Sequence, residues 1–179
     1  MAAHALDELK GRPLQTRLTD GTLIGLAAVG LGGAVAIGVI GAIVVSPLLI
    51  PLVIAGAFLA LAYNLELFGG RLHNDTWFAL AWGGFPALTG YFVNALTITP
   101  AGLLIAAACC LTSVAQRRLS TPARDLRRRT TAVDGTQRFN DGHVETLDAQ
   151  RLAEPLEGAL RALGLAHVLL AIGLIAARI

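Results

Sequence analysis

Two stretches of this chain, Gly21 to Leu65 and Thr76 to Gln116, contain no Asp, Glu, Lys or Arg. Each is roughly twice the ~20 residues that a bilayer-crossing helix needs. A soluble core has no room for uncharged runs of that length, so each reads as a helical hairpin in lipid. Between them lies Ala62-Tyr63-Asn64-Leu65-Glu66-Leu67-Phe68-Gly69-Gly70-Arg71-Leu72-His73-Asn74-Asp75-Thr76-Trp77, a polar connector. It is the point where the chain returns to one membrane face. With 55% hydrophobic residues among 179, the composition points away from an ordinary soluble domain.

The breakers divide the runs further. Thr19 and Asp20 cap a first span over Thr22–Val45, which is rich in glycine. Gly21/Gly25 and Gly30/Ala34/Gly38 mark faces on which helix backbones approach closely. Ser46-Pro47 and Pro51 open a second span over Leu48–Asn64, since proline is tolerated at a helix start. Asn74 or Asp75 caps a third over Thr76–Ala95, where Gly83-Gly84-Phe85-Pro86 predicts a kink or a break. The fourth is Ala101–Gln116. A last helix follows Pro155, with Glu157 and Arg161 on its first turns and an apolar part over Ala162–Ala177.

The architecture expected is therefore all-α, a polytopic transmembrane helical bundle of about five spans. Residues 1–20 form a polar lead. A four-helix membrane unit over 21–116 contains the connector at 64–75. A basic segment covers 117–155, read as part helix and part loop, and a terminal membrane helix covers 156–179. Five crossings place the lead, the connector and the basic segment on one side, with every basic residue except Arg178. The positive-inside rule makes that side cytoplasmic, with the N-terminus in and the C-terminus out. No secretory signal is read, because the N-terminus has no apolar region before Thr22. Thirteen Arg against one Lys points to a GC-rich bacterial genome and hence to a bacterial cell membrane.

Groups able to do chemistry gather on that face. The lead carries His4, Asp7, Glu8, Lys10 and Arg12. The connector carries Tyr63, Glu66, Arg71, His73 and Asp75, and the basic segment carries Arg117, Arg118, Arg124 and Arg127–Arg129. Arginines above an apolar helical cavity suit an amphiphile with an anionic head. They suit topological anchoring and contact with anionic headgroups equally well. Asp75 also reads as a helix cap, and Glu66, Arg71 and His73 as a solvated turn. Within the spans, Asn94, Thr112, Ser113 and His167 need partners, and for His167 an interhelical hydrogen bond is favoured over proton transfer. Adjacent Cys109 and Cys110 point in different directions on a helix and imply neither a disulfide nor a metal site.

The lead Ala3-His4-Ala5-Leu6-Asp7-Glu8-Leu9-Lys10-Gly11-Arg12-Pro13-Leu14 resembles the end of the first Asp-rich motif of the UbiA superfamily of intramembrane prenyltransferases. That motif reads Asn-Asp-x-x-Asp, then a basic residue and Arg-Pro-Leu, then a Gly-rich helix. Tyr63 with the connector is similar to the loop after that family's fourth helix, and Arg117–Arg129 falls where its second Asp-rich motif lies. The likeness covers roughly residues 1–130, in layout more than in identity. It implies Mg²⁺, a prenyl diphosphate substrate and an alkylated acceptor, with Asp7 as a metal ligand. Arg12, Arg117, Arg118 and Arg124 would be diphosphate or headgroup contacts, and Tyr63, Glu66, Arg71, His73 and Asp75 a lid.

Departures from the family pattern are plain. Ala3 and His4 stand at its Asn and Asp positions, Asp125 is alone among arginines, and Leu67 replaces the lysine of Tyr-x-x-x-Lys. The family has two helices before this point, so the resemblance implies a piece of a longer protein or a reduced relative. Two functions follow as expectations. One is a UbiA-like protein that acts on an isoprenoid diphosphate, possessing Mg²⁺ only if catalytic and with no catalytic residue assigned. The other is a non-catalytic membrane scaffold or lipid-binding subunit, in contact with membrane lipids and with a membrane-protein partner or a second copy. A transporter ranks third, for want of inverted repeats. Nothing in the pattern points to nucleic acid.

Overall fold

Helices account for most of the residues in the structure, a computed structural model that describes residues 1–177. The chain forms two compact units, Met1–Ser113 and Val114 onward.

In the first unit, α1 (Ala2–Gly11) is a short amphipathic helix. Its buried Ala5 and Leu6 pack against Leu23 and Ala27 of α2 (Asp20–Val44), with Leu61 and Leu65 alongside. Thr19 caps α2 by accepting from the Thr22 N–H, as its hydroxyl allows. At the far end of α2 the Ser46 side chain accepts from Leu48 N–H, and a 3₁₀ turn at Pro47–Leu49 leads into α3 (Ile50–Asn64). There Ala42, Leu49 and Phe92 form a second buried cluster. Glycine decides how closely α2 and α3 approach: a Cβ on Gly38 would lie 2.5 Å from a Val53 methyl.

The Asp75–Ala95 stretch is helical throughout but is not one α-helix. It consists of α4 (Asp75–Ala79), a π turn at Leu80–Gly84 and α5 (Phe85–Ala95). Pro86 has no N–H to donate to the preceding turn, and a widened π turn just before it absorbs the mismatch. Gly83 and Gly84 let this distorted segment press on α6 (Pro100–Arg128). A Cβ on Gly83 would lie 2.6 Å from the Cys109 carbonyl oxygen and against Ser113 Oγ.

Two boundaries differ from those read in the sequence. Helix α6 does not stop at Gln116 but continues through Pro122 to Arg128. Helix α7 (Ala149–Ala176) begins before Pro155, where Asp148 caps it by accepting from Arg151 N–H at 2.7 Å. Between them the 117–155 segment holds an antiparallel hairpin, so the fold is not wholly α. Strand β1 (Gly135–Arg138) pairs with β2 (Val144–Leu147), with Arg138 opposite Val144. Asn140-Asp141-Gly142 supplies the reversal, because Gly142 adopts φ 88° where other residues are strained.

Helices α2, α6, α7 and the Pro47–Asn64 rod are each long and apolar enough to cross a membrane. Their large apolar side chains point outward, with Ile43 79% exposed and Leu165, Leu169 and Ile175 on α7 similarly open. A helix that is apolar on its outer face as well as its inner one belongs in lipid.

Candidate functional site

The polar end of the first unit is built on Glu8 rather than Asp7. Both lie on α1, but Glu8 faces inward and is 1% exposed, whereas Asp7 is half-buried. The Glu8 carboxylate accepts from the Leu14 N–H at 2.9 Å, the Thr16 N–H at 2.7 Å and the Thr16 hydroxyl at 2.9 Å. Burial alone raises its affinity for a proton. The three hydrogen bonds and the nearby Arg12 outweigh that, so the carboxyl sits below the ordinary carboxylate range. The 12–19 loop is thus wound around a buried anion.

Arg12 completes that winding. Its guanidinium donates to the carbonyls of Thr16 (3.1 Å) and Leu18 (2.8 Å) and pairs with Asp20. Read in the sequence as a phosphate contact, Arg12 is occupied here in closing the loop from α1 to α2. Lys10 reaches Glu66 of the connector at 3.6 Å. Asp7 has no ligand set around it: among the described residues, no three of His, Cys, Asp and Glu converge on a point that would hold a metal ion.

The connector folds back on the end of α3. Tyr63 is buried, and the His73 ring stacks on it at 4.5 Å between centroids. His73 Nδ1 lies 2.9 Å from the Tyr63 carbonyl, which can only accept, so this nitrogen carries the proton. Phe78 and Trp82 meet Tyr63 at 6.0 and 6.1 Å. The crevice lined by Leu59, Tyr63, Leu72, Trp77 and Ala81 is too tight to admit water. Asn74, not Asp75, caps α4, accepting from the Trp77 N–H at 3.0 Å. Asp75 lies exposed on the first turn beside it, and Arg71 is exposed on the connector.

In the second unit the arginines divide by helical face. Arg127 on α6 donates through Nε and a terminal nitrogen to the two carboxylate oxygens of Glu157 on α7, at 2.7 and 3.0 Å. Arg161, one turn further along α7, also favours the ionised form of Glu157. Ala123 on α6 and Ala153 on α7 are buried, at 6% and 0% exposure. Arg129 pairs with Asp125 at 3.4 Å, and Arg151 pairs with Glu145 of β2. Arg117 is half-buried near the end of the uncharged part of α6, while Arg118 and Arg124 are exposed.

The polar groups inside the apolar stretches satisfy themselves locally. His167 Nδ1 meets the Leu163 carbonyl at 2.7 Å, Asn94 donates to Gly90 at 2.8 Å and Thr112 to Ala108 at 2.9 Å. The interhelical partner expected for His167 is replaced by the preceding turn of its own helix. Cys109 and Cys110 are free thiols. Sequence reasoning missed the roles of Glu8 and of the Arg127–Glu157 pair. The Asp-Glu doublet on an amphipathic helix was the available signal for Glu8; no local signal marks a pair thirty positions apart.

No known protein family, characterised protein or solved structure matches this chain.

Proposed function

We propose that this protein is an integral membrane scaffold that holds anionic lipid headgroups and partner helices without catalysing a reaction. The observation that carries this reading is the fate of its charged side chains. Glu8 is spent on Leu14 and Thr16, Arg12 on Asp20, Lys10 on Glu66 and Arg127 on Glu157. A prenyltransferase needs carboxylates converging on Mg²⁺, whereas Glu8 and Glu157 are each committed to partners within the protein.

The membrane topology follows from crossing parity. Counting Asp75–Ala95 as a crossing despite its π turn gives five, with the N-terminus, the connector and the basic segment cytoplasmic and the C-terminus outside. Arg178, the one basic residue assigned to the outer side, lies outside the described residues. Arg117 and Arg118 then stand where α6 leaves the hydrocarbon, within reach of lipid phosphates. The outer face of α2 supports the partner role: a Cβ on Gly25, Gly32 or Gly33 would meet open space, whereas those on Gly30 and Gly38 would strike Ala2 and Val53. Such open small-residue positions suit helix–helix contact in lipid. The Arg-rich composition fits a bacterial cell membrane.

The UbiA resemblance supports a second reading, in which the same arginines hold an isoprenoid diphosphate and Asp7 a Mg²⁺ ion. Titration calorimetry of the purified protein with farnesyl diphosphate, with and without Mg²⁺, separates the two. The scaffold reading expects no Mg²⁺-dependent binding and no difference between wild type and Asp7→Ala. Saturable Mg²⁺-dependent binding that Asp7→Ala abolishes would replace it with prenyl transfer.

A further inference from the structure

His167 is the one ionisable side chain in the apolar part of α7, Ala162–Ala177. Arg161, just before that part, can reach the headgroups. His167 stands six residues further on, about 9 Å along the axis, within a hydrocarbon layer ~30 Å thick. Its side chain is exposed, and so are those of Leu165, Val168, Leu169 and Leu170 around it. Helix α7 therefore offers the lipid an uncovered imidazole, which is costly unless its polar atoms find partners.

One ring nitrogen has a partner and the other has none. Nδ1 lies 2.7 Å from the Leu163 carbonyl, which only accepts, so Nδ1 carries the proton. Nε2 is left as a lone pair with no hydrogen-bond partner among the described residues. A backbone carbonyl on one nitrogen is the arrangement in which histidine presents the other to a metal, with tautomer and ring orientation fixed. A helical side chain leans over the turn that precedes it. In that turn stands Gly164, where a Cβ would meet nothing within 4 Å. Ala171, one turn beyond His167 on the same flank, is small as well. Bulk is therefore missing beside the imidazole, where a flat ligand would lie.

The Nε2 lone pair calls for a hydrogen-bond donor or a Lewis acid. A second copy of this chain is poorly equipped to supply the donor. The hydroxyls of Thr89 and Thr112 and the amide of Asn94 donate to their own helices, and a second His167 presents another acceptor. A bare metal ion does not fit either, since no three of His, Cys, Asp and Glu converge among the described residues. The metal must bring its own equatorial ligands and an apolar periphery. Iron porphyrin brings both and takes an axial imidazole. We infer that His167 Nε2 is an axial ligand for haem, seated against Gly164 and Ala171 in the hydrocarbon layer. This goes beyond the scaffold reading and shares with it only the membrane placement of α7.

The test titrates the full chain in phosphatidylcholine nanodiscs with haemin, with empty nanodiscs as the blank, and follows the Soret band. Wild type is expected to give a shifted band that saturates at no more than one haem per chain. His167→Ala should weaken binding at least about tenfold, the least that even an outer partner of a metal ligand is worth. His4→Ala and His143→Ala, both exposed and outside the spans, should leave it unchanged. His167→Gly should regain the shifted band when free imidazole is added, which a merely structural role would not allow. Gly164→Leu, which keeps the ligand but fills the flank beside it, should weaken binding too. A band that is equal in wild type and His167→Ala, as partition into the bilayer would give, or absent from both, would overturn the inference. A nitroxide at position 168, in a background with Cys109 and Cys110 replaced by alanine, reads the placement of α7 separately. Access to oxygen but not to a polar relaxant is expected. That result without a haem band overturns the haem site alone; water-like access overturns the placement and the site with it.

Discussion

Arg127 and Glu157 meet through two hydrogen bonds of 2.7 and 3.0 Å, closing a thirty-residue excursion that contains the β-hairpin. Both side chains are partly exposed, so the pair is screened by water and its main effect is on geometry. It ties the end of α6 to α7 across the segment that holds the hairpin.

Loss of either partner should loosen the hairpin end of the second unit. Arg127→Ala and Glu157→Ala are each expected to raise amide exchange at Arg138 and Val144 a few-fold, and the double variant should be no worse than either alone. The effect should shrink in high salt, because the pair is open to solvent. Hydrogen exchange with mass spectrometry on the protein in nanodiscs reads both.

The buried carboxylate predicts an acid-labile N-terminal helix. Glu8 is held below the ordinary carboxylate range, so its ionised form is favoured in the folded state. Its stabilisation is complete above the range in which a free carboxylate titrates. It is lost as pH falls through the lower, folded-state value. Protection of the Leu14 and Thr16 amides should therefore be flat near neutrality and fall only in strongly acidic buffer. Glu8→Gln should lower that protection at pH 7 and remove its acid dependence, while Asp7→Asn should leave both unchanged.

The π turn predicts a sharp contrast between glycines. Gly83→Ala places a methyl 2.6 Å from the Cys109 carbonyl, which is backbone and cannot turn aside. A loss of about 1–3 kcal/mol is expected, and Ser113→Ala should not rescue it. Gly25→Ala and Gly32→Ala point into open space and should leave the melting temperature of the detergent-solubilised monomer nearly unchanged. Thermal unfolding followed by circular dichroism compares them.

Much of the membrane unit was legible in the chain, because hydropathy and helix-breaking residues act locally. The absence of charge from Gly21 to Leu65 and from Thr76 to Gln116, together with Pro47, Pro51 and Pro86, marks where helices run and where they bend. Thr19 and Asn74 cap where short polar side chains precede an apolar run. In the second unit the apolar helix after Pro155 was legible, but the charged segment before it was not, because charge looks alike on a helix and in a loop. Arginine spacing along α6 is compatible with both, and the helix runs on through Pro122. The hairpin did leave a signal, since Thr136-Gln137-Arg138 and Val144-Glu145-Thr146 flank Asn140-Asp141-Gly142 with β-branched residues on either side of a turn. At the candidate site, residue types could be read but not their commitments. The Asp7-Glu8 doublet signals a carboxylate near the buried face but not what it binds, and nothing local says that Arg12 is taken up by Asp20.

The claim most open to direct test is that the interrupted Asp75–Ala95 helix crosses the membrane, since the orientation and the assignment of every charged segment depend on it. Single cysteines replace Arg71 on the connector and Ile98 after α5, both exposed, in a background lacking Cys109 and Cys110. Intact bacterial cells expressing each variant are treated with a membrane-impermeant maleimide. Five crossings predict labelling at position 98 in intact cells and at position 71 only after permeabilisation; the same labelling behaviour at both positions would contradict the account.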